Sequence, residues 1–146
     1  MSSRRAAIAM SEAEVAAFLD HERVLICATV GRDGWPHLMP LWYVVRHGEC
    51  WAWTYAKSQK VRNLEREARC TVLLETGETY MELRGVMMKC AAAIHRDFDT
   101  VRDVGQALAV RYGGEDAHVD ERQAAKRVAL RFICSDLASW DHRKLG

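Results

Sequence analysis

The signatures by which a sequence most often declares its chemistry are missing from this chain of 146 residues. None of the five cysteines (Cys27, Cys50, Cys70, Cys90 and Cys134) belongs to a C-x-x-C pair. An odd number without framework spacing predicts reduced cytosolic thiols used as small hydrophobes, and argues against a disulfide scaffold or a thiolate metal site. The six histidines show no H-x-H or H-E-x-x-H spacing, which argues against zinc. His37 and His142, each standing alone, read as surface or satisfied side chains. No G-x-S-x-G occurs, and Cys27 and Cys70 lie in apolar runs expected to raise a thiol pKa, so a hydrolase has little support. A Gly-rich P-loop and a G-x-G-x-x-G are both absent. With a formal net charge of +1 there is no global field for nucleic acid or a membrane surface, and any anion site must be local. No window reaches transmembrane length, and the apolar segment after Arg4 and Arg5 is too short for a signal peptide. Without repeats, low-complexity tracts or linkers, the expectation is one soluble cytoplasmic domain over residues 1–146, with 1–10 as a disordered tail.

What is present reads mainly as β-structure. Ser11 with Glu14 makes a capping box for a first helix, and Val15, Phe18 and Leu19 supply its buried stripe. Arg23–Gly31 is a near-continuous apolar run, suggesting a central strand. Asp33-Gly34 turns it into a return strand from Trp35 to about Arg46. That strand holds both prolines of the chain, Pro36 and Pro40, which places it at an edge or a bulge. His47-Gly48 turns it into a third strand, giving an antiparallel meander. After a helix, Arg69–Glu75 is another buried strand, and Thr76-Gly77-Glu78 leads into a long strand over Thr79–Ala93 with a bulge expected at Gly85. Asp97 can cap a helix through about Arg111, bearing Val101, Val104, Leu108 and Tyr112 on one face and ending at Gly113-Gly114. A short charged helix near Ala117–Lys126, a final strand Val128–Cys134 and a tail Ser135–Gly146 complete the chain. Six strands of this kind suggest a closed or nearly closed antiparallel barrel, because closure removes exposed edges.

The stretch from Trp51 to Leu64 gathers the chemistry. It alternates as a strand to Tyr55, then changes period: Ser58 can cap a helix whose apolar stripe runs through Val61, Leu64 and Ala68. Lys57, Lys60 and Arg62 therefore crowd a helix N-terminus, where the dipole already places positive charge. A phosphate or carboxylate on that turn would resolve the conflict. Trp35, Trp42, Tyr43, Trp51, Trp53 and Tyr55 crowd the adjacent strands. About half of them are expected to fill a core, and the others suit the walls of a planar ligand's site.

Three segments carry a resemblance: Cys27-Ala-Thr-Val-Gly-x-Asp-Gly-x-Pro-His37-x-x-Pro-x-Trp42-Tyr43, Thr54-x-x-Lys57-Ser-x-Lys60-x-x-Asn63-Leu64, and Glu82-Leu-Arg84-Gly85. Their order and spacing resemble the pyridoxamine-5′-phosphate-oxidase-like flavin-binding split barrels, and more narrowly the actinobacterial branch that uses the deazaflavin coenzyme F420. The closing Ser139-Trp-Asp-His-Arg-Lys-Leu145 is similar to the tail of that branch. The resemblance implies a mainly β fold, a six-stranded antiparallel split β-barrel with flanking α-helices. It also implies a homodimer with the cofactor in a groove at the interface. Pro40, Leu41 and Trp42, with Thr54, Tyr55 and Ala56, would flank the ring. Lys57, Ser58, Lys60 and Asn63 would hold the phosphate end, and Trp140 and Arg143 would come from the partner subunit. The implied activity is hydride transfer between coenzyme F420 and a small planar organic substrate, with no nucleic acid or membrane partner and no metal. FMN is the alternative cofactor, and a non-catalytic carrier or sensor of flavin or haem the alternative role. Tyr43, Tyr55 and His37 are candidates for a general acid. Pyridoxamine-phosphate oxidation itself does not fit, because this tail offers only Arg143 and Lys144 for a second phosphate clamp.

Overall fold

The computed structural model describes residues 3–146, and its first ordered feature corrects an expectation. Residues 3–10 are not a loose tail. Helix α1 (Arg4–Ile8) is followed by Met10, whose N–H donates to Ser139 Oγ at 2.9 Å. Lys144 Nζ reaches both the Ala9 carbonyl at 3.0 Å and Glu14 Oε1 at 2.8 Å. The C-terminal segment thus pins the N-terminal one. The part of the expectation that concerns Met1 and Ser2 lies outside the described residues. Helix α2 (Glu12–His21) forms as its sequence predicts: Ser11 Oγ accepts from the Glu14 N–H and Glu14 Oε1 accepts from the Ser11 N–H, while Phe18 and Leu19 are buried.

The described residues form seven strands in one antiparallel sheet, ordered β2-β1-β5-β6-β7-β4-β3. They are β1 (Leu25–Val30), β2 (Pro36–Leu41), β3 (Tyr43–Arg46), β4 (Glu49–Tyr55), β5 (Arg69–Thr76), β6 (Arg84–His95) and β7 (Arg127–Asp141). The count differs from six because the proline-bearing return strand is two strands. It breaks at Trp42, so that β2 pairs with β1 and β3 pairs with β4. These are the two outer strands of the sheet, and a single residue joins them. That short link requires the sheet to curl until its edges meet, giving the split barrel. Both prolines lie in β2, which has β1 as its only neighbour, where a missing N–H costs no ladder bond on the open side.

The boundaries of four other elements moved. The final strand runs on to Asp141, because Met87↔Ala138 and Val86↔Ser139 continue its ladder with β6 through what composition marked as a tail. The long run after Gly77 begins with a tight turn, Tyr80–Glu82, and β6 starts only at Arg84. Its bulge falls at Lys89/Cys90 and not at Gly85. Gly85 is needed for a different reason: a Cβ there would lie on the ring of Trp140. The short charged helix shrinks to α5 (Glu121–Ala124), and α3 (Gln59–Arg66) stops before Ala68, which is exposed.

Helix α4 (Phe98–Gly113), capped by Asp97 Oδ2 accepting from the Thr100 N–H at 3.1 Å, covers β3, β4 and the start of β7. Those strands are therefore buried on both faces. Along β7, Val128, Leu130 and Phe132 point into the barrel while Ala129 points toward α4. Cys50 and Ala52 on β4 alternate with Trp51 in the same way.

Candidate functional site

Two grooves open at the two ends of β2. The larger, about 830 Å³, lies between Pro40, Leu41 and Trp42 on one side and α4 with Trp53 and Arg127 on the other. Trp42, the residue at the strand break, is 59% exposed, and its ring stacks on Tyr112 at 4.3 Å and 5°. Tyr112 is fixed in turn by its hydroxyl, which donates to the Arg23 carbonyl at 2.7 Å and accepts from the Tyr43 N–H at 3.1 Å. Trp53 can approach α4 because position 105 is glycine; a Cβ there would be 2.9 Å from its ring. The Arg127 guanidinium lies over Trp53 at 4.5 Å and Tyr55 at 4.1 Å, and its Nη1 donates to Gln123 Oε1 at 2.8 Å. Among the described residues no carboxylate lies within ion-pair distance of it.

The smaller groove, about 490 Å³, lies between the β1–β2 turn and α3, with Arg32, Trp35, His37, Gln59 and Asn63 on its walls. Two polar atoms near this end lack a partner among the described residues though both are buried: His37 Nδ1 and Ser58 Oγ. Ser58 occupies the helix N-cap, yet its hydroxyl makes no capping bond. The Ser58 hydroxyl at the helix N-terminus, and His37 in its Nδ1–H tautomer, can each donate to an anionic group. The strand separating the grooves, Pro36–Leu41, spans about 17 Å at the usual rise per residue. Its neighbourhood is unusually apolar for a surface, with Trp35, Leu38, Met39 and Trp42 all exposed.

The basic cluster expected on the first turn of α3 does not converge within one chain. Lys57 and Arg62 are exposed, but Lys60 is only 8% exposed and donates to Thr54 Oγ1 at 2.9 Å. Burial lowers its pKa, opposed by the nearby Cys27. Asn63 is fully buried; its Nδ2 donates to Thr29 Oγ1 at 3.0 Å and its Oδ1 accepts from Gln59 at 2.8 Å. Lys60, Asn63, Thr54 and Thr29 thus form internal ties between α3 and the strands β1 and β4. Ala56 packs against the barrel core. At the far end of β7 from Arg127, Trp140 lies on Gly85, and Arg143 is held by Asp141 through bonds of 2.9 and 2.8 Å. That pair lowers the Asp141 pKa and raises that of Arg143.

Of the general-acid candidates, Tyr43 is wholly buried with its hydroxyl against the Leu19 and Glu22 carbonyls, and burial pushes its pKa up. It therefore cannot meet a ligand. Tyr55 is exposed beside Arg127, and His37 lines the smaller groove. The thiols are unreactive for the most part: burial raises Cys50 to about 12 and also raises Cys90. Cys27 departs from expectation, because a hydrogen bond shared with Cys70 and the charge of Lys60 lower its pKa while that of Cys70 rises. All five cysteines are free. Among the described residues there is no group of three His, Cys, Asp or Glu side chains able to hold a metal, and no helix long and apolar enough to cross a membrane.

Sequence reasoning missed Arg127 and Gln123 altogether, and it saw Tyr112 only as a helix-stripe residue. The signal for Arg127 was its place opposite Tyr55 in the β4–β7 ladder, which needs the pairing to be seen.

A curled antiparallel sheet whose two outer strands are joined by a single residue defines a split barrel. The profile of the pyridoxamine 5′-phosphate oxidase family matches residues 11–141, and the chain belongs to that family. It is similar to the conserved hypothetical protein Rv2991 from Mycobacterium tuberculosis, at 44% identity over 99% of this chain and 93% of that one, with a TM-score of 0.90. The fold is also shared with an F420 reductase (19% identity, 84% of this chain and 94% of that one, TM-score 0.70). A haem storage protein of Vibrio cholerae, HutZ, shares it as well (17% identity, 88% and 94% covered, TM-score 0.69). No curated protein matches the chain.

Proposed function

We propose that this protein is an F420-dependent oxidoreductase acting on a small planar organic substrate, with FMN as the alternative cofactor. The observation that carries the reading is the pair of grooves at the two ends of β2, one walled by aromatics and one at the N-terminus of α3. A redox cofactor with a flat ring and an acidic arm needs both kinds of surface, separated by about the length of a short strand. The residues fit such a group: the orphaned Ser58 Oγ and His37 Nδ1, with Lys57 and Arg32 beside them, suit its acidic arm. Pro40, Leu41 and Trp42 would support the ring, with Tyr55 and the Thr54–Ala56 segment on its other flank. Lys60 and Asn63 would act mainly by holding the α3 turn against the strands.

When bound, the reduced cofactor supplies a hydride from its C5/N5 position. The chain's own part is to bind and orient. Trp42, stacked on Tyr112, and Trp53 wall the larger groove, and Tyr55 or solvent delivers a proton there. The exposed apolar residues around β2 support a homodimer that closes the site, with Trp140 and the Arg143–Asp141 pair contributed by the partner subunit. An intracellular location in the cytoplasm accords with free cysteines on the inside of the barrel.

Titrating the purified protein separately with coenzyme F420, FMN and haem tests the reading. Quenching of deazaflavin fluorescence is the expected outcome, with Lys57→Ala weakening the affinity by about tenfold for one lost charge-assisted contact. Turnover of enones or quinones with reduced F420 then separates a reductase from a carrier. A Soret band with haem and no response to either flavin would sink the proposal.

A further inference from the structure

We infer that the larger groove takes a planar, conjugated carboxylate, and that Arg127 anchors its anionic end. The inference rests on the oxidoreductase reading only in calling this ligand a substrate. With the cofactor ring against Pro40, Leu41 and Trp42, the carboxylate takes the part of the groove lined by Trp53 and Arg127, and the binding itself stands on that part. A cavity of about 830 Å³ is large enough for a fused or conjugated ring system. Trp42, fixed by its stack on Tyr112, and Trp53 line the space, and aromatic walls favour a flat partner over a branched aliphatic one.

The charge around the groove sets the sign of the ligand. The Arg127 guanidinium lies over the Trp53 and Tyr55 rings, at 4.5 and 4.1 Å from their centroids. Only Nη1 finds an acceptor among the described residues, at Gln123, which leaves Nη2–H and Nε–H for a carboxylate. Arg23 lies over Tyr112 at 4.6 Å and adds to the positive field, whereas the neighbouring Arg111 is paired with Asp20 at 3.8 Å. The opposing group is Asp120, whose Oδ1 accepts from the Arg122 N–H at the start of α5 and which stands beyond ion-pair distance from Arg127. His118 also borders the space. A neutral ring entering the groove would partly desolvate Arg127 without replacing its water, whereas a carboxylate would pair with it.

Calorimetric titration of the full chain with 2-naphthoate and with its neutral isostere 2-naphthamide tests this. The carboxylate is expected to bind at least about tenfold more tightly. Arg127→Met should abolish that preference, and Arg127→Lys should restore part of it, because a lysine keeps the charge but loses the fork. Equal affinity of the two probes for the wild-type protein, no binding of either, or a preference that survives Arg127→Met would overturn the inference. The same titrations with and without F420 separate the two proposals. A carboxylate preference without F420 binding leaves the anchor standing and sinks the oxidoreductase reading; F420 binding without the preference does the reverse.

Discussion

Strands β4 and β7 are walls for two hydrophobic layers that are filled to different degrees. The barrel interior is closed: Leu25, Val72, Val86 and Leu130 are essentially inaccessible, the Tyr43 hydroxyl lies against two carbonyls, and Lys60 and Asn63 are bonded to Thr54 and Thr29. The layer under α4 is not closed. The large groove opens beside Leu108, and the indole N–H groups of Trp51 and Trp53 are buried without partners among the described residues. A filled layer with satisfied polar groups contributes stability. A layer with unpaired indole donors and an arginine without a carboxylate partner beside an open space is the one in which the ligand proposed above would lie.

The sharpest test of that contrast is a pair of truncations. Leu130→Ala, inside the barrel, should cost about 3 kcal/mol in denaturant unfolding, whereas Leu108→Ala, which widens an existing space, should cost about 1–2 kcal/mol. Equal losses would break the comparison. A smaller effect separates the polar groups of the two layers. Tyr43→Phe leaves the Leu19 and Glu22 carbonyls without their hydroxyl and should cost about 1–2 kcal/mol, while Trp53→Phe gives up no hydrogen bond and should cost less than about 1 kcal/mol. The smallest effect is electrostatic and lies outside both layers. Asp141, held below the ordinary carboxylate range by Arg143, binds a proton less readily when folded than when unfolded. Its contribution is therefore present at neutral pH and is lost as pH falls through the folded-state pKa. Thermal melts of the wild type and Asp141→Asn should differ at pH 7 and converge in strong acid; a constant gap would contradict the pairing.

Much of the fold was readable because its signals are local. The Ser11–Glu14 box, the Asp97 cap, the His47-Gly48 turn and the apolar runs of β1 and β5 each depend on residues within a few positions of one another. The extent of β7 was not readable, since Ser135–Asp141 lacks the buried alternation of a strand and is strand only because β6 pairs with it. The same holds for the site. Pro40, Leu41 and Trp42, named through the family resemblance, border a groove, but Lys60 and Asn63, expected to hold a phosphate, are turned inward. Only their packing against Thr54 and Thr29 reveals them as internal ties.

The amino-acid order by itself determined the elements, the edge position of β2 and the family, because periodicity, caps and motif spacing are written along the chain. What tertiary structure alone decided was which side chains share a space. Trp42 met Tyr112, and Arg127 met Trp53 and Tyr55, only when the sheet curled and α4 lay across it. Contacts between residues seventy positions apart depend on strand order and helix placement, which no local pattern encodes.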